Sequence, residues 1–238
     1  MAEAPPVLEL RRIRAGYGQI EVLHGIALAV GAGEVLALLG PNGAGKSTTL
    51  KVASGQMEPT SGCFHVMGQH VNGMKPDALA RAGMCTLPDG RGIFPNLTVR
   101  ENLRLMTFGG VSRSTVEESA FTRFPRLGER RNQVAGTLSG GEQQMLAMAR
   151  TLSVEPAVLL LDEISMGLAP MIVSQLYDLV AQIAAEGVAI VLAEQFAATA
   201  LKVATHVAVV VQGRIIVSGT PDELPADLAD AYLGGAAA

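Results

Sequence analysis

The sequence predicts an α/β fold built on a mostly parallel sheet flanked by helices, and three observations carry that expectation. The apolar run Val35-Leu36-Ala37-Leu38-Leu39 leads through a glycine-rich stretch into Thr49-Leu50-Lys51-Val52-Ala53, reading as strand, turn and helix in succession. Ala157-Val158-Leu159-Leu160-Leu161 is apolar at every position, the pattern of a parallel strand buried on both faces. Beyond it, the amphipathic residues 172–185 end at Gly187 and give way to a second apolar run, 188–193. A chain of 238 residues, 49% hydrophobic, can fill the core of one large or two modest domains.

In chain order, residues 7–14 alternate apolar and polar like an edge strand, and 22–30 contain a second β-like run before Gly31-Ala32-Gly33. Between them, Arg14-Ala15-Gly16-Tyr17-Gly18 sets a tyrosine between glycines. A ring there either covers a core edge or, if exposed, stacks on a base. Gly40-Pro41-Asn42-Gly43-Ala44-Gly45-Lys46-Ser47-Thr48 reads as a phosphate cradle. Its glycines free the backbone to turn successive N–H groups toward one anion, and the following helix adds the positive end of its dipole. Lys46 is expected to reach the β and γ phosphates, and the Ser47 hydroxyl to ligate a magnesium ion bridging them.

Thr60-Ser61-Gly62 ends this helical region; Cys63-Phe64-His65-Val66 and Met84-Cys85-Thr86-Leu87 read as further strands, the latter stopping at Pro88-Asp89-Gly90. A loop rich in large apolar residues, Ile93, Phe94 and Leu97 among them, precedes Thr98. Thr98 is placed to cap a helix from Val99, with Glu101 in the reciprocal position of a capping box. Helical patterns interrupted by Gly109-Gly110 and Pro125 continue to about residue 134, which predicts a small helical subdomain.

Leu138-Ser139-Gly140-Gly141-Glu142-Gln143-Gln144 opens another capped helix, with Met145, Leu146, Ala149 and Leu152 as its buried stripe. Capping accounts for Ser139 and Glu142, whereas the paired glycines mark a second anion-binding helix start. Asp162-Glu163 brings two carboxylates to the C-terminal edge of the sheet, where open α/β folds bind ligands. Asp162 is expected to hold magnesium through its water shell, and Glu163 to polarise an attacking water. Residues 197–204 read as helix, and 207–211 with 214–217 as a hairpin across Gln212-Gly213.

A net charge of -4 without a Lys/Arg block gives no nucleic-acid groove. The two cysteines, Cys63 and Cys85, lie too far apart for a Cys-x-x-Cys pair, and the four histidines lack metal-ligand spacing. Met1-Ala2-Glu3-Ala4-Pro5-Pro6 has no signal-peptide character, and no apolar run approaches the ~18 residues of a membrane span. These features predict a cytosolic protein.

With the phosphate loop, Leu138-Ser139-Gly140-Gly141-Glu142 and Asp162-Glu163 in this order, the chain resembles the nucleotide-binding subunits of ABC transporters. More narrowly, it is similar to the second of the two ATPases in branched-chain amino-acid importers. That likeness rests on Pro88-Asp89-Gly90-Arg91-Gly92-Ile93-Phe94, Phe124-Pro125-Arg126-Leu127, Gly167-Leu168-Ala169-Pro170, Ala193-Glu194-Gln195 and Ala231-Tyr232-Leu233-Gly234-Gly235. The resemblance implies a P-loop NTPase of ABC type, with a mostly parallel core sheet, an N-terminal antiparallel β subdomain and a helical signature subdomain. It implies one ATPase domain over residues 1–238, the nucleotide-binding core and β part taking 7–88 and 155–238 and the helical subdomain 89–154.

ATP and Mg2+ are the implied ligands, with Tyr17 stacking on adenine and Gly40, Pro41, Asn42, Gly43, Ala44, Gly45, Lys46, Ser47 and Thr48 around the phosphates. Ser139, Gly140, Gly141 and Glu142 are the implied signature contacts in a head-to-tail dimer, homodimeric or with a paralogue. In it, Ser139 and Gly141 of one subunit face the γ-phosphate held by the other's Lys46. The further implied partners are two integral-membrane permease subunits at the inner face of the cell membrane and, indirectly, an extracytoplasmic solute-binding protein. Ile93, Phe94 and Leu97 lie where the family receives a permease coupling helix; filling the helical subdomain's own core is the other role open to them.

Three positions depart from the wider family. Asp89 stands in place of glutamine, an acceptor-only anion as a magnesium or water contact. Gln195 replaces the switch histidine; it donates to a γ-phosphate oxygen without titrating near neutral pH, and joins Glu163 and Lys46 as a catalytic candidate. Ile164 replaces proline and is expected to loosen the turn into Ser165-Met166-Gly167-Leu168. The competing readings are a urea or short-amide importer, a P-loop kinase, which would leave the second glycine-rich helix start without a role, and a nucleotide-gated scaffold with little hydrolysis.

Overall fold

The computed structural model describes residues 5–88, 90, 92–109, 111–195 and 197–224. Asp89, Arg91 and the segment Ala231-Tyr232-Leu233-Gly234-Gly235 lie outside the described residues. The chain runs β1 (Leu8–Tyr17), β2 (Ile20–Val30), β3 (Val35–Leu39), α1 (Lys46–Ala53), β4 (Ser61–Val66), β5 (Gln69–His70), α2 (Pro76–Arg81) and β6 (Met84–Leu87). It continues through α3 (Val99–Arg104), α4 (Arg113–Arg123), α5 (Pro125–Glu129) and α6 (Gly140–Leu152). It then passes through β7 (Val158–Asp162), α7 (Pro170–Ala185), β8 (Ala189–Glu194), α8 (Ala197–Ala200), β9 (His206–Val211) and β10 (Arg214–Gly219).

The α/β expectation is borne out. One sheet has the order β10-β9-β3-β8-β7-β6, parallel throughout except for the antiparallel hairpin strand β10. The other, β2-β1-β4-β5, is antiparallel. The continuous apolar strands β3, β7 and β8 lie at or beside the middle of the larger sheet, where both faces are covered. Alternate side chains serve two cores, as the two-residue period of a strand requires. Leu39, Leu161 and Leu192 pack with helices α3 to α7, while Leu38, Leu160 and Val191 pack with α1 and the antiparallel sheet.

Between β6 and β7 the described residues form helices and turns around a single isolated bridge, Thr98↔Val134. Both capping boxes form: Thr98 and Glu101 close the start of α3, and Ser139 and Glu142 the start of α6. The last helical expectation is corrected. α8 ends at Ala200 and residues 201–203 continue as turns, because β9 must enter the sheet beside β3 at once. No helix among the described residues is long and apolar enough to cross a membrane.

Candidate functional site

Sheet register brings the site together. Leu39 pairs with Glu194 and Asp162 with Ala193, so the phosphate-loop turn, the paired carboxylates and the end of β8 emerge side by side at one sheet edge. The loop closes tightly over its neighbours. Gly45 has φ 109, and a Cβ there would stand 2.9 Å from Leu23 Cδ2, so only glycine suits both the conformation and the space. Lys46 is buried; its Nζ donates to the carbonyls of Gly40 (2.8 Å) and Pro41 (3.2 Å) and lies 3.6 Å from Glu163 Oε1. The Ser47 hydroxyl donates to Asp162 Oδ1 at 3.2 Å. Loop and carboxylates, 115 residues apart for this pair, therefore form one polar cluster.

A cavity of about 480 Å³ opens over this cluster, lined by Tyr17, Lys46, Ser47, Thr48, Glu163 and Met166 among others. Tyr17 is half exposed, which rules out a core-covering role for its whole ring. Its hydroxyl sits beside Thr48 and receives a hydrogen bond from Lys51 Nζ (3.2 Å); these contacts hold the phenol below its ordinary pKa. Lys51 Nζ also lies 5.5 Å from the ring centroid.

Glu163 has φ 47, a left-handed conformation rare and costly for a residue with a Cβ. Its N–H donates to Ala193 O (3.0 Å). At Ile164, where proline's absence is expected to loosen this turn, the side chain is buried in the main core, and the next residue is hydrogen-bonded to Glu194. Ser165 donates its N–H to Glu194 Oε1 (3.2 Å) and its hydroxyl to Glu194 Oε2 (3.0 Å). Burial raises the pKa of Glu194 above its ordinary value, against the opposing pull of Tyr177 and Ser165. Glu194 escaped residue-by-residue reading because its partner lies 29 positions away, joined only by the adjacency of β7 and β8.

A second cavity, about 460 Å³, lies on the other side of the carboxylates, where Asp162, Glu163 and Met166 meet Ile93, Gln143 and Gln144. Ser139, Gly140, Gly141 and Glu142 line neither this cavity nor the one over the phosphate loop. Within one chain, the two predicted anion sites stay apart. The Ser139 hydroxyl donates to Glu142 Oε2 (2.7 Å), while Glu142 Oε1 pairs with Arg130 (3.2 Å). Gly141 has a packing reason the sequence hides: a Cβ there would lie 2.8 Å from Ile172 Cγ2 on α7.

Gln195, half-buried, follows the last residue of β8 at the same edge but lines neither cavity. The apolar loop divides its roles. Ile93 packs against the main core, whereas Phe94 is half exposed, with the Arg150 guanidinium 5.0 Å above its ring. Asn102, fully buried, exchanges hydrogen bonds with Phe94 N (2.8 Å) and O (2.9 Å) and fixes the loop's shape. A buried asparagine on a helix carried no distinctive sequence signal.

No group of three His, Cys, Asp or Glu among the described residues could hold a metal by itself. The Ser47 hydroxyl and Asp162 carboxylate suit a hard, oxygen-preferring ion that takes its remaining ligands from phosphate and water, the usual habit of magnesium.

Residues 23–165 match the ABC transporter family. The chain is 40% identical over 236 residues to a high-affinity branched-chain amino acid transport ATP-binding protein, BraG, of Pseudomonas aeruginosa, covering 96% of this chain and all of that one. A Nod factor export ATP-binding protein I of Cupriavidus pinatubonensis is 34% identical, over 96% of this chain and 69% of its own length. Among solved structures, an ATP-binding subunit of an ABC transporter superposes with a TM-score of 0.81 at 30% identity, covering 97% of this chain and 95% of that one.

Proposed function

The chain belongs to the ABC transporter family of ATPases, and we propose that it is the ATP-hydrolysing subunit of a membrane importer for branched-chain amino acids. The observation that carries the reading is the convergence of Lys46, Ser47, Asp162 and Glu163 within hydrogen-bond or ion-pair reach at one sheet edge. In this reading the loop N–H groups and Lys46 grip the nucleotide phosphates, exchanging the contacts Lys46 makes with Gly40 and Pro41. Ser47 and Asp162 would hold magnesium, which when bound would neutralise phosphate charge. Asp89 is proposed only as a further contact to this group and lies outside the described residues.

Glu163 then accepts a hydrogen bond from the attacking water and orients it, while Gln195 donates to a γ-phosphate oxygen. Tyr17 stacks on the adenine. A second subunit, identical or paralogous, supplies Ser139 and Gly141 head to tail, with Gly140 and Glu142 shaping that helix start. Residues 89–154 form the helical subdomain and the remainder the nucleotide-binding core. Phe94 and its loop dock a permease subunit at the inner membrane face, and a solute-binding protein delivers cargo to two such permeases.

Amino-acid cargo is supported by the BraG relative, which is matched over its whole length and 96% of this chain. The Nod factor export relative favours one alternative, an exporter. Reconstituting the chain with its membrane partners in vesicles separates them. Branched-chain amino acids should stimulate ATP turnover and move from the ATPase-remote side to accumulate on the ATPase side; stimulation by urea or short amides alone, or movement the other way, would contradict the proposal.

A further inference from the structure

Glu194 is 1% exposed and has no cation within ion-pair reach among the described residues. A buried carboxylate is costly unless its oxygens are well bonded, so its retention calls for a use. Both oxygens are spent on one residue, Ser165, through its N–H and its hydroxyl. The Tyr177 hydroxyl is buried beside the same carboxylate and makes no hydrogen bond of normal geometry.

The turn held in this way begins at Glu163 with its left-handed φ of 47, a conformation that persists only when its surroundings over-determine it. Two consecutive residues of β8 do so: Ala193 O takes the N–H of Glu163, and the Glu194 side chain takes both donors of Ser165. Between these fixed points Ile164 is buried, and Met166 N–H donates to Glu163 O at 3.3 Å. The same turn carries Met166, which is exposed and lines both cavities that meet Glu163.

We propose that Glu194 is a positioning residue for ATP hydrolysis, clamping Ser165 so that the strained Glu163 backbone aims its carboxylate at the reacting water. It acts on the water-activating group from behind and touches no nucleotide. The inference rests on the reading of Glu163 as the group that orients water. Because Gln195 directly follows Glu194 at the end of β8, the clamp also ties the turn to the residue proposed to contact the γ-phosphate.

The test is a double-mutant cycle on ATP turnover by the full chain with Glu194→Ala, Ser165→Ala and both together, with melting followed throughout. Loss of charge-assisted hydrogen bonds predicts a kcat about tenfold or more lower for Glu194→Ala, with KM for ATP changed less than about threefold. Ser165→Ala, which keeps the N–H donor, should lose less, and the double variant should be no worse than Glu194→Ala. Glu194→Gln, able to accept from the Ser165 N–H, should restore most of kcat. Additive effects, an unchanged kcat in both single variants, or kcat falling only in step with melting temperature would overturn the clamp. Glu163→Gln, measured alongside, separates the two readings: if it turns over normally, the assignment of Glu163 fails; if it is inactive while the cycle is additive, only the clamp fails.

Discussion

At the scale of single residues, Glu194 links stability to pH in a direction opposite to most carboxylates. Burial raises its folded-state pKa above the ordinary 4.5, with Glu163 repulsion adding to it and Tyr177 and Ser165 opposing. As pH rises through that ordinary value the unfolded chain releases its proton first, so the folded state binds more protons and stability falls until the folded pKa is passed. This contribution is complete below the ordinary value and lost above the raised one. Urea midpoints for Glu194→Gln are therefore expected to lose one component of decline on the alkaline side of pH 4.5 relative to the parent; superimposable pH profiles would count against a buried, titrating carboxyl. Lys46, Ser47, Asp162 and Glu163 were legible as a site because each falls in a short stretch with its own strand-end or loop pattern. The Glu194–Ser165 contact was not, since nothing local marks a carboxylate whose partner is chosen by strand order.

Helix α6 shows the same boundary at the scale of elements. Its capping box was readable from Ser139 and Glu142, whose spacing alone lets each side chain reach the other's backbone. The need for Gly141 was half readable. An anion-binding start explains a glycine, but the closeness of Ile172 on α7 is a tertiary fact that no single-segment pattern contains. Gly141→Ala should cost about 1–3 kcal/mol through overpacking, read from urea unfolding, and Ile172→Ala, which removes the γ carbons nearest the added methyl, should recover part of the loss. Full stability in the alanine variant would show that α6 and α7 have slack at this contact. Similarly, 207–211 was legible as a strand but not as the neighbour of β3, because parallel pairing leaves no trace in either strand's own sequence.

For the whole molecule, the decisive feature is separation. Lys46 and Glu163 share one cavity, while Ser139 and Gly141 line neither that cavity nor its neighbour. That division suits a head-to-tail pair in which each phosphate loop receives the other's α6 start, with the turn at Met166 exposed between them. In the proposed function, hydrolysis in such a pair depends on Glu163, whereas nucleotide capture depends on the loop. The most direct measurement is single-turnover phosphate release by full-length Glu163→Gln beside the parent, with bound ATP and sedimentation read in the same samples. The expected result is undiminished ATP binding, an ATP-dependent dimer and release about a hundredfold or more slower, as for loss of a positioned general base. Release at near the parental rate would contradict the assignment of Glu163.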